Sequence, residues 1–226
     1  MSKRKSSTKR AALVRPKPPR TLAEDFQTVQ LVEYTITAEL IESDQYKRLP
    51  ARVRESVPQL YAELHKHPRT AIPKVQKLIR RYPRIPMFYN YLVAAYTAIG
   101  EFDKAKDIAL QNYQRNPDYL FARINYAQVC MDEGHFNKIP EIFEETYDLK
   151  LLYPERDTFH VSEVVNFAGL MGLYFLAIGN RETAELYYSM AKNLGPKYPV
   201  TRQLHQHLHP SWLHGLLLRL IATPKS

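Results

Sequence analysis

The residues with the best-defined metal-binding potential are histidines near the end of the sequence. His205, His207 and His209 alternate and are followed by His214. In an extended strand the first three would share a face, but a zinc site needs three or four ordered ligands and no acid or cysteine lies nearby. We therefore predict a solvated linker there, with no metal site and no cofactor.

Other chemistry-bearing patterns are scarce. His160 and Glu163 have a spacing that is common on helices, where it indicates a surface pair rather than a catalytic dyad. The sequence contains no phosphate-binding loop, dinucleotide fingerprint, nucleophile elbow or zinc-protease helix. With only 7 glycines, nucleotide-binding α/β folds and all-β folds are disfavoured. We predict that the chain is not an enzyme.

The cysteine content and the first twenty residues indicate the cellular compartment of the protein. Cys130 is the only cysteine, so an intrachain disulfide is excluded, which fits a reducing environment. Residues 1–20 lack the apolar run of a secretory signal. The sequence therefore predicts a cytoplasmic protein.

The net charge of +9 is concentrated in two blocks. Residues 1–20 carry +8 without an acid and are predicted to be a disordered basic arm. Residues 21–45 carry −6 and residues 46–84 carry +9. The second block suggests contact with acidic protein or nucleic-acid phosphates. The ordinary alternative is a solvated helix face. The candidate polyanion contacts share one helical face or border it: Lys74, Lys77, Arg80, Arg81 and Arg84.

Three short motifs indicate an internal repeat. IGEFDKA at 99–105, EGHFNKI at 133–139 and IGNRETA at 178–184 align on glycines separated by 34 and then 45 residues. A helix-length apolar stretch lies before each glycine, and a second one follows it. Such helix pairs cannot bury both faces alone and must stack.

The aligned positions resemble the tetratricopeptide repeat family. The first unit reads Tyr89-x2-Leu92-Val93-x2-Tyr96, then Ala105-x3-Ala109 and Pro117. The third reads Ala168-x2-Met171-Gly172-x2-Phe175, then Ala184-x3-Tyr188 and Pro196. The second is weaker, with Arg123 and Ile139 off the pattern. The resemblance covers about 100 residues and implies an all-α fold, a right-handed superhelix of antiparallel helix pairs.

The alignment of the repeats also predicts the structure of the segments on either side of them. Residues 21–85 are predicted to be N-terminal helices, one from Thr21 to about Ser43, with a degenerate repeat at 52–85. Three repeats follow within 86–197, at about 86–119, 120–153 and 165–198. Residues 198–226 are predicted to be a linker and a C-terminal capping helix. The register also places Ala127, Gly172 and Ala184 at helix crossings.

Two apolar segments require separate interpretation. The run at 164–179 is 16 residues long, whereas a membrane span needs about 20. It is therefore predicted to be a buried first helix of the third repeat, and no transmembrane segment is expected. The segment Ser211–Ile221 is predicted to cap the second helix of the third repeat, at Ala184, Tyr188 and Ala191.

The resemblance implies a ligand surface on the first helices of the repeats. The family register places there Met87, Asn90, Phe121, Ile124, Asn125, Gln128, Asn166 and Leu173. Asn125 matches one place of the family's carboxylate-binding set, but Asn90 and Leu170 occupy its lysine and arginine places. That subset is therefore not predicted.

The leading hypothesis is an adaptor or scaffold that binds a protein or peptide in a concave groove. The first alternative is a nucleic-acid-associated helical repeat protein that uses the basic arm and the basic face within 46–84. The second is a peripheral membrane adaptor that uses the same charges and the segment containing Trp212. Partner identity and oligomeric state stay open.

Overall fold

The computed structural model describes residues 9–13 and 32–210. These residues fall into two compact units. The central unit is residues 40–145. The terminal unit contains the described residues up to 39 and from 146 onwards. The predicted capping segment Ser211–Ile221 lies outside the described residues.

The central unit consists of helices joined by short connections, so that successive long helices run antiparallel and pack together. Pro68 and Pro86 each stand in the first turn of a helix, where a missing N–H costs nothing. Gly100 and Gly134 have φ of 76° and 74° in the turns that follow two of these helices. The helices are α1 (Asp44–Lys47), α2 (Ala51–Lys66), α3 (Pro68–Arg81), α4 (Pro86–Ala98), α5 (Phe102–Arg115), α6 (Leu120–Asp132) and α7 (Lys138–Ile142).

The core of the central unit comes from one face of each long helix. Of the apolar positions that the sequence predicted on α4, Tyr89, Leu92 and Tyr96 are buried and Val93 is half-buried. Phe88 and Ala95 are buried as well. Ala105 on α5 is buried as well, and its small side chain lets α4 and α5 approach closely.

The second repeat departs from the predicted helix pair over 120–153. The repeat alignment puts Ile139 and Phe143 on its second helix, but α7 ends at Ile142, and Glu144 and Glu145 take left-handed φ values of 53° and 54°. Arg123, which is off the family pattern, explains the early end. Arg123 is 5% exposed, and its guanidinium donates to the Ile142 carbonyl at 2.9 Å and to the Pro117 carbonyl at 2.6 Å.

The terminal unit combines a small sheet with a helical layer. The sheet order is β1–β2–β3, with β1 antiparallel and β3 parallel to β2, and Ile36 lies opposite Phe159. The elements are β1 (Lys9–Leu13), β2 (Val32–Thr37), α8 (Leu149–Leu152), β3 (Thr158–His160), α9 (Val161–Ala177), α10 (Arg181–Leu194) and α11 (Pro199–Leu208).

The sheet corrects three predictions. The described chain is mostly helical but not all-α, the arm predicted to be disordered contains β1, and residues 32–37 of the predicted first helix form β2. In β2, Tyr34 and Ile36 are buried, whereas Glu33 is exposed and the threonines are half-buried. That alternation is the period of a strand with one buried face. Residues 21–31 lie outside the described residues.

Most of the apolar run at 164–179 lies in α9, and from Glu163 through Phe175 every residue except the half-buried Asn166 is buried, which agrees with the predicted buried helix. A Cβ built on Gly169 would come within 2.4 Å of Val200 Cγ2, and one on Gly172 within 2.3 Å of Leu204 Cδ2. Glycine therefore permits the close crossing of α9 and α11. Among the described helices, none combines the length and the apolar character needed to cross a membrane.

Helix α11 corrects the predicted linker. Thr201, Leu204 and Leu208 recur at helical spacing and are buried, because α11 packs on α9 and α10. The ring of Tyr188, on the face that the capping segment was expected to cover, stacks on His205 of α11 at 5.4 Å between centroids. This described helix thus already contacts part of that face.

Candidate partner-binding surface

In the central unit, the first helices of successive hairpins lie side by side. Helix α4 contacts both α2 and α6. The contact between α4 and α6 includes a side-chain hydrogen bond, in which Asn125 Nδ2 donates to Asn90 Oδ1 at 2.8 Å. Both asparagines come from the predicted ligand surface, and both are half-buried.

The outward stripe of α4 follows from its amphipathic pattern. With Phe88 and Leu92 in the core, Ala94 and Thr97 are exposed and Asn90 is partly exposed. The side of α4 that avoids the core therefore includes Asn90, a residue of the predicted ligand surface.

The Asn90–Asn125 pair keeps unused hydrogen-bonding groups. A carboxamide offers two N–H donors and two acceptor lone pairs. The hydrogen bond between the two side chains uses Asn125 Nδ2 and Asn90 Oδ1, so Asn90 Nδ2 and Asn125 Oδ1 take no part in it. One donor and one acceptor at neighbouring positions match the N–H and C=O groups of an extended peptide backbone.

The other predicted residues of the central unit differ in accessibility. Met87, Phe121 and Gln128 are half-buried. Gln128 Nε2 donates to Asp132 Oδ1 on the same helix at 2.8 Å, and the Phe121 ring lies 6.0 Å from that of Tyr119. Ile124 is buried in the core and offers little surface to a ligand.

Sequence reasoning missed an aromatic group beside these residues. Tyr61 of α2 is 49% exposed, and its ring lies 5.3 Å from that of Tyr91 on α4 and 4.4 Å from that of His65. Burial, followed by the neighbouring Tyr61 and Tyr46, raises the pKa of Tyr91, so its phenol stays neutral at physiological pH. In the sequence Tyr61 belongs to an apolar helical stripe of the degenerate repeat, together with Val57, Leu60 and Leu64. A helical stripe alone does not show which of its edges is covered.

The two predicted residues of the terminal unit are less available. Asn166 is half-buried, and its Nδ2 donates to the Ser162 carbonyl of its own helix at 2.7 Å. Leu173 is buried. The candidate surface is therefore described on the central unit alone.

The predicted polyanion contacts on α3 and the following turn are all exposed. Lys74 Nζ lies 2.7 Å from Glu63 of α2, and this hydrogen bond holds the pKa of the Glu63 carboxyl below its usual value. The Arg81 guanidinium lies 5.6 Å from the centroid of the Tyr82 ring. Within the described part of the chain, Lys77, Arg80 and Arg84 have no carboxylate partner.

The histidine-based candidates have structural roles. His205 and His207 lie on α11 rather than on a strand, and no group of three metal-ligating side chains occurs among the described residues. His160 is the N-cap of α9, and Glu163 completes a capping box. Glu163 is buried and accepts a hydrogen bond from Arg156 at 2.8 Å, so the predicted surface pair is a buried cap.

Comparison with known proteins identifies no family. No protein-family profile matches the chain, and no curated protein matches it. Among solved structures, one titled "MamA RS-1 ArsTM double mutant" matches with a TM-score of 0.46 and 14% sequence identity. The match covers 76% of this chain and 87% of that one.

Proposed function

We propose that the chain is a tetratricopeptide-like interaction scaffold that binds an extended segment of a protein partner. The binding surface would be the outward side of α2, α4 and α6 in the central unit. The observation that carries this proposal is the hydrogen bond between Asn125 and Asn90, which fixes two partly exposed amides on neighbouring helices.

The chemistry of this surface suits a peptide backbone with an apolar side chain. The amide pair supplies one donor and one acceptor, while Tyr61, Tyr91 and Phe121 offer partly exposed rings. Aromatic side chains contribute large contact areas and are enriched at binding hot spots. The proposal assigns recognition to this surface and assigns no reaction to the chain.

The helices that display the surface are held by the core beneath it. Phe88 and Leu92 anchor α4, and Ala127 anchors α6. A site on packed helices needs little ordering when a ligand binds, so less of the interaction energy is lost to entropy. We extend the proposal to a right-handed superhelical stacking of the hairpins, as the resemblance implies.

Display of random dodecapeptides tests the proposal. Peptides selected on the full chain are measured by fluorescence polarisation against the wild type and the variant Asn90→Ala/Asn125→Ala. We expect the double variant to lose at least tenfold in affinity, because removing paired amides deletes the backbone contacts. The matched control is Asn193→Ala/Asn137→Ala, which removes two exposed amides elsewhere. Equal affinity of wild type and test variant would refute this site.

A further inference from the structure

Helix α3 divides into a buried apolar side and an exposed cationic side. Ala71, Ile72 and Val75 are buried against the core of the central unit. The exposed side carries no acidic residue, because α3 contains none. Its exposed residues are Arg69, Thr70, Pro73, Lys74, Lys77, Arg80 and Arg81, and we call this set the α3 basic face.

Like charges on this face are close together. Residues three and four apart on a helix are neighbours, and like charges at that spacing destabilise it. Lys77 is three residues from both Lys74 and Arg80, and four from Arg81. Glu63 offsets Lys74 only, so the described structure leaves this repulsion largely uncompensated. An external anion would relieve it.

The length of the face suits a polymeric anion. From Arg69 to Arg81 the helix rises about 18 Å at 1.5 Å per residue. A nucleic-acid duplex of that length presents on the order of ten phosphate charges. A single small anion would meet only one or two of these cations.

The exposed side chains distinguish among polyanions. Helices that lie on a membrane insert an apolar face, but the apolar side of α3 is buried within the central unit. Single-stranded nucleic acid is held by stacking on exposed aromatic rings. Tyr82, the aromatic residue next to this face, is half-buried and lies beside the Arg81 guanidinium. Arginine is also suited to phosphate, because its planar fork binds two oxygens at once.

We propose that the α3 basic face binds the phosphate backbone of a nucleic-acid duplex without reading its sequence. This site is separate from the surface on α2, α4 and α6 that carries the proposed peptide binding. Either assignment can therefore fail without the other.

The test is fluorescence anisotropy of the full chain with a labelled mixed-sequence DNA duplex, and in a second arm an RNA duplex, across a salt series. The test variant is Lys77→Gln/Arg80→Gln/Arg81→Gln. The matched control, Arg52→Gln/Lys104→Gln/Arg115→Gln, removes the same charge from exposed positions on α2 and α5. Both variants keep residues 1–20, so any contribution of that basic segment is common to them.

We expect the test variant to bind at least tenfold more weakly at low salt. The slope of log affinity against log salt should fall by about 2 to 3, since each duplex phosphate contact contributes about 0.9. The control should keep the wild-type slope. Equal losses in both variants would show a net-charge effect and overturn the proposal, as would a test variant with unchanged slope. Binding to phosphatidylserine vesicles without duplex binding would also overturn it.

Discussion

Gly172 of α9 faces Leu204 of α11 so closely that a Cβ on the glycine would lie 2.3 Å from Leu204 Cδ2. That distance is far below van der Waals contact. The tetratricopeptide-like register predicted a helix crossing at Gly172, and the structure confirms it. The helix that crosses there, α11, lies in the segment that the sequence predicted to be a linker.

The close crossing predicts the sign of a substitution. Alanine in place of a mid-helix glycine ordinarily stabilises by roughly 0.5–1 kcal/mol. At Gly172 we expect the opposite, a loss of about 1–3 kcal/mol in the free energy of unfolding, because the methyl group overpacks the crossing. Urea denaturation of Gly172→Ala measures this.

A second substitution identifies the neighbour responsible. Adding Leu204→Ala to Gly172→Ala should cost less than the sum of the two single losses, since the shortened Leu204 makes room for the methyl group. Additive losses would show that Leu204 is not the clashing group. A stabilised Gly172→Ala protein would contradict the close crossing itself.

Arg123 is predicted to be essential to the central unit. Arg123→Met keeps much of the side-chain volume but removes the donors to the Pro117 and Ile142 carbonyls. Losing buried hydrogen bonds from a charged group should cost about 2–4 kcal/mol. Thermal denaturation measures the loss, and the exposed Arg115→Met is the control, expected to stay within about 0.5 kcal/mol of wild type. Equal effects of both would mean that Arg123 does not hold the α7 turn.

Local sequence signals sufficed for one hairpin of the central unit, α4 and α5, and for the turn after α6. Gly100 and Gly134 take the left-handed conformation in the turns that their positions predicted. Leu92 and Tyr96 are buried at the helical spacing that the sequence shows without reference to distant segments. The family register placed both Asn90 and Asn125 on the ligand surface, although they lie 35 residues apart, one more than the 34-residue repeat. The hydrogen bond between them joins two positions that are not equivalent in the repeat, and the sequence did not predict it.

The sheet depends on contacts that no local window contains. The spacing of Val29, Val32 and Ile36 also fits a helix face, and what makes residues 32–37 a strand is pairing with segments far away in sequence, such as Ile36 with Phe159. Helix α11 was missed for a related reason. Its buried apolar residues are only Leu204 and Leu208, and they lie among histidines and glutamines. The burial of this helix comes from its packing on α9 and α10, which no local window contains.

The burial of Tyr187 predicts that the folded protein becomes less stable at alkaline pH. Burial raises the pKa of Tyr187 far above the usual value of about 10. The folded state thus holds the phenol proton where the unfolded state releases it. The stabilisation is complete below the unfolded pKa and is lost as pH rises above it, at up to about 1.4 kcal/mol per pH unit.

Measuring the free energy of unfolding between pH 8 and pH 11 tests this titration. Tyr187→Phe should be less stable at pH 8, because the Tyr147 carbonyl loses its donor, but its stability should fall less steeply above pH 10. Tyr198→Phe, at a half-buried tyrosine of the same unit, is the comparison. An unchanged alkaline slope in Tyr187→Phe would assign the effect to other groups.

The proposed peptide surface predicts opposite outcomes for the same substitution at two phenylalanines. Phe121 is half-buried on α6 beside the amide pair, and Phe102 is 67% exposed at the start of α5. Phe121→Asp should abolish capture of a selected peptide, because a carboxylate replaces an apolar contact and must be desolvated. Phe102→Asp should retain capture, since its position is outside the surface on α2, α4 and α6.

Folding must be separated from binding in this comparison. Circular dichroism and thermal denaturation should show that Phe121→Asp remains folded, since its ring is partly exposed rather than part of the fully buried core. If Phe121→Asp unfolds, Phe121→Ser provides the same loss of apolar contact without a charge. Capture at wild-type strength by a folded Phe121 variant would place the peptide elsewhere. Loss of capture in Phe102→Asp instead would move the site to α5, where Phe102 is the exposed apolar side chain.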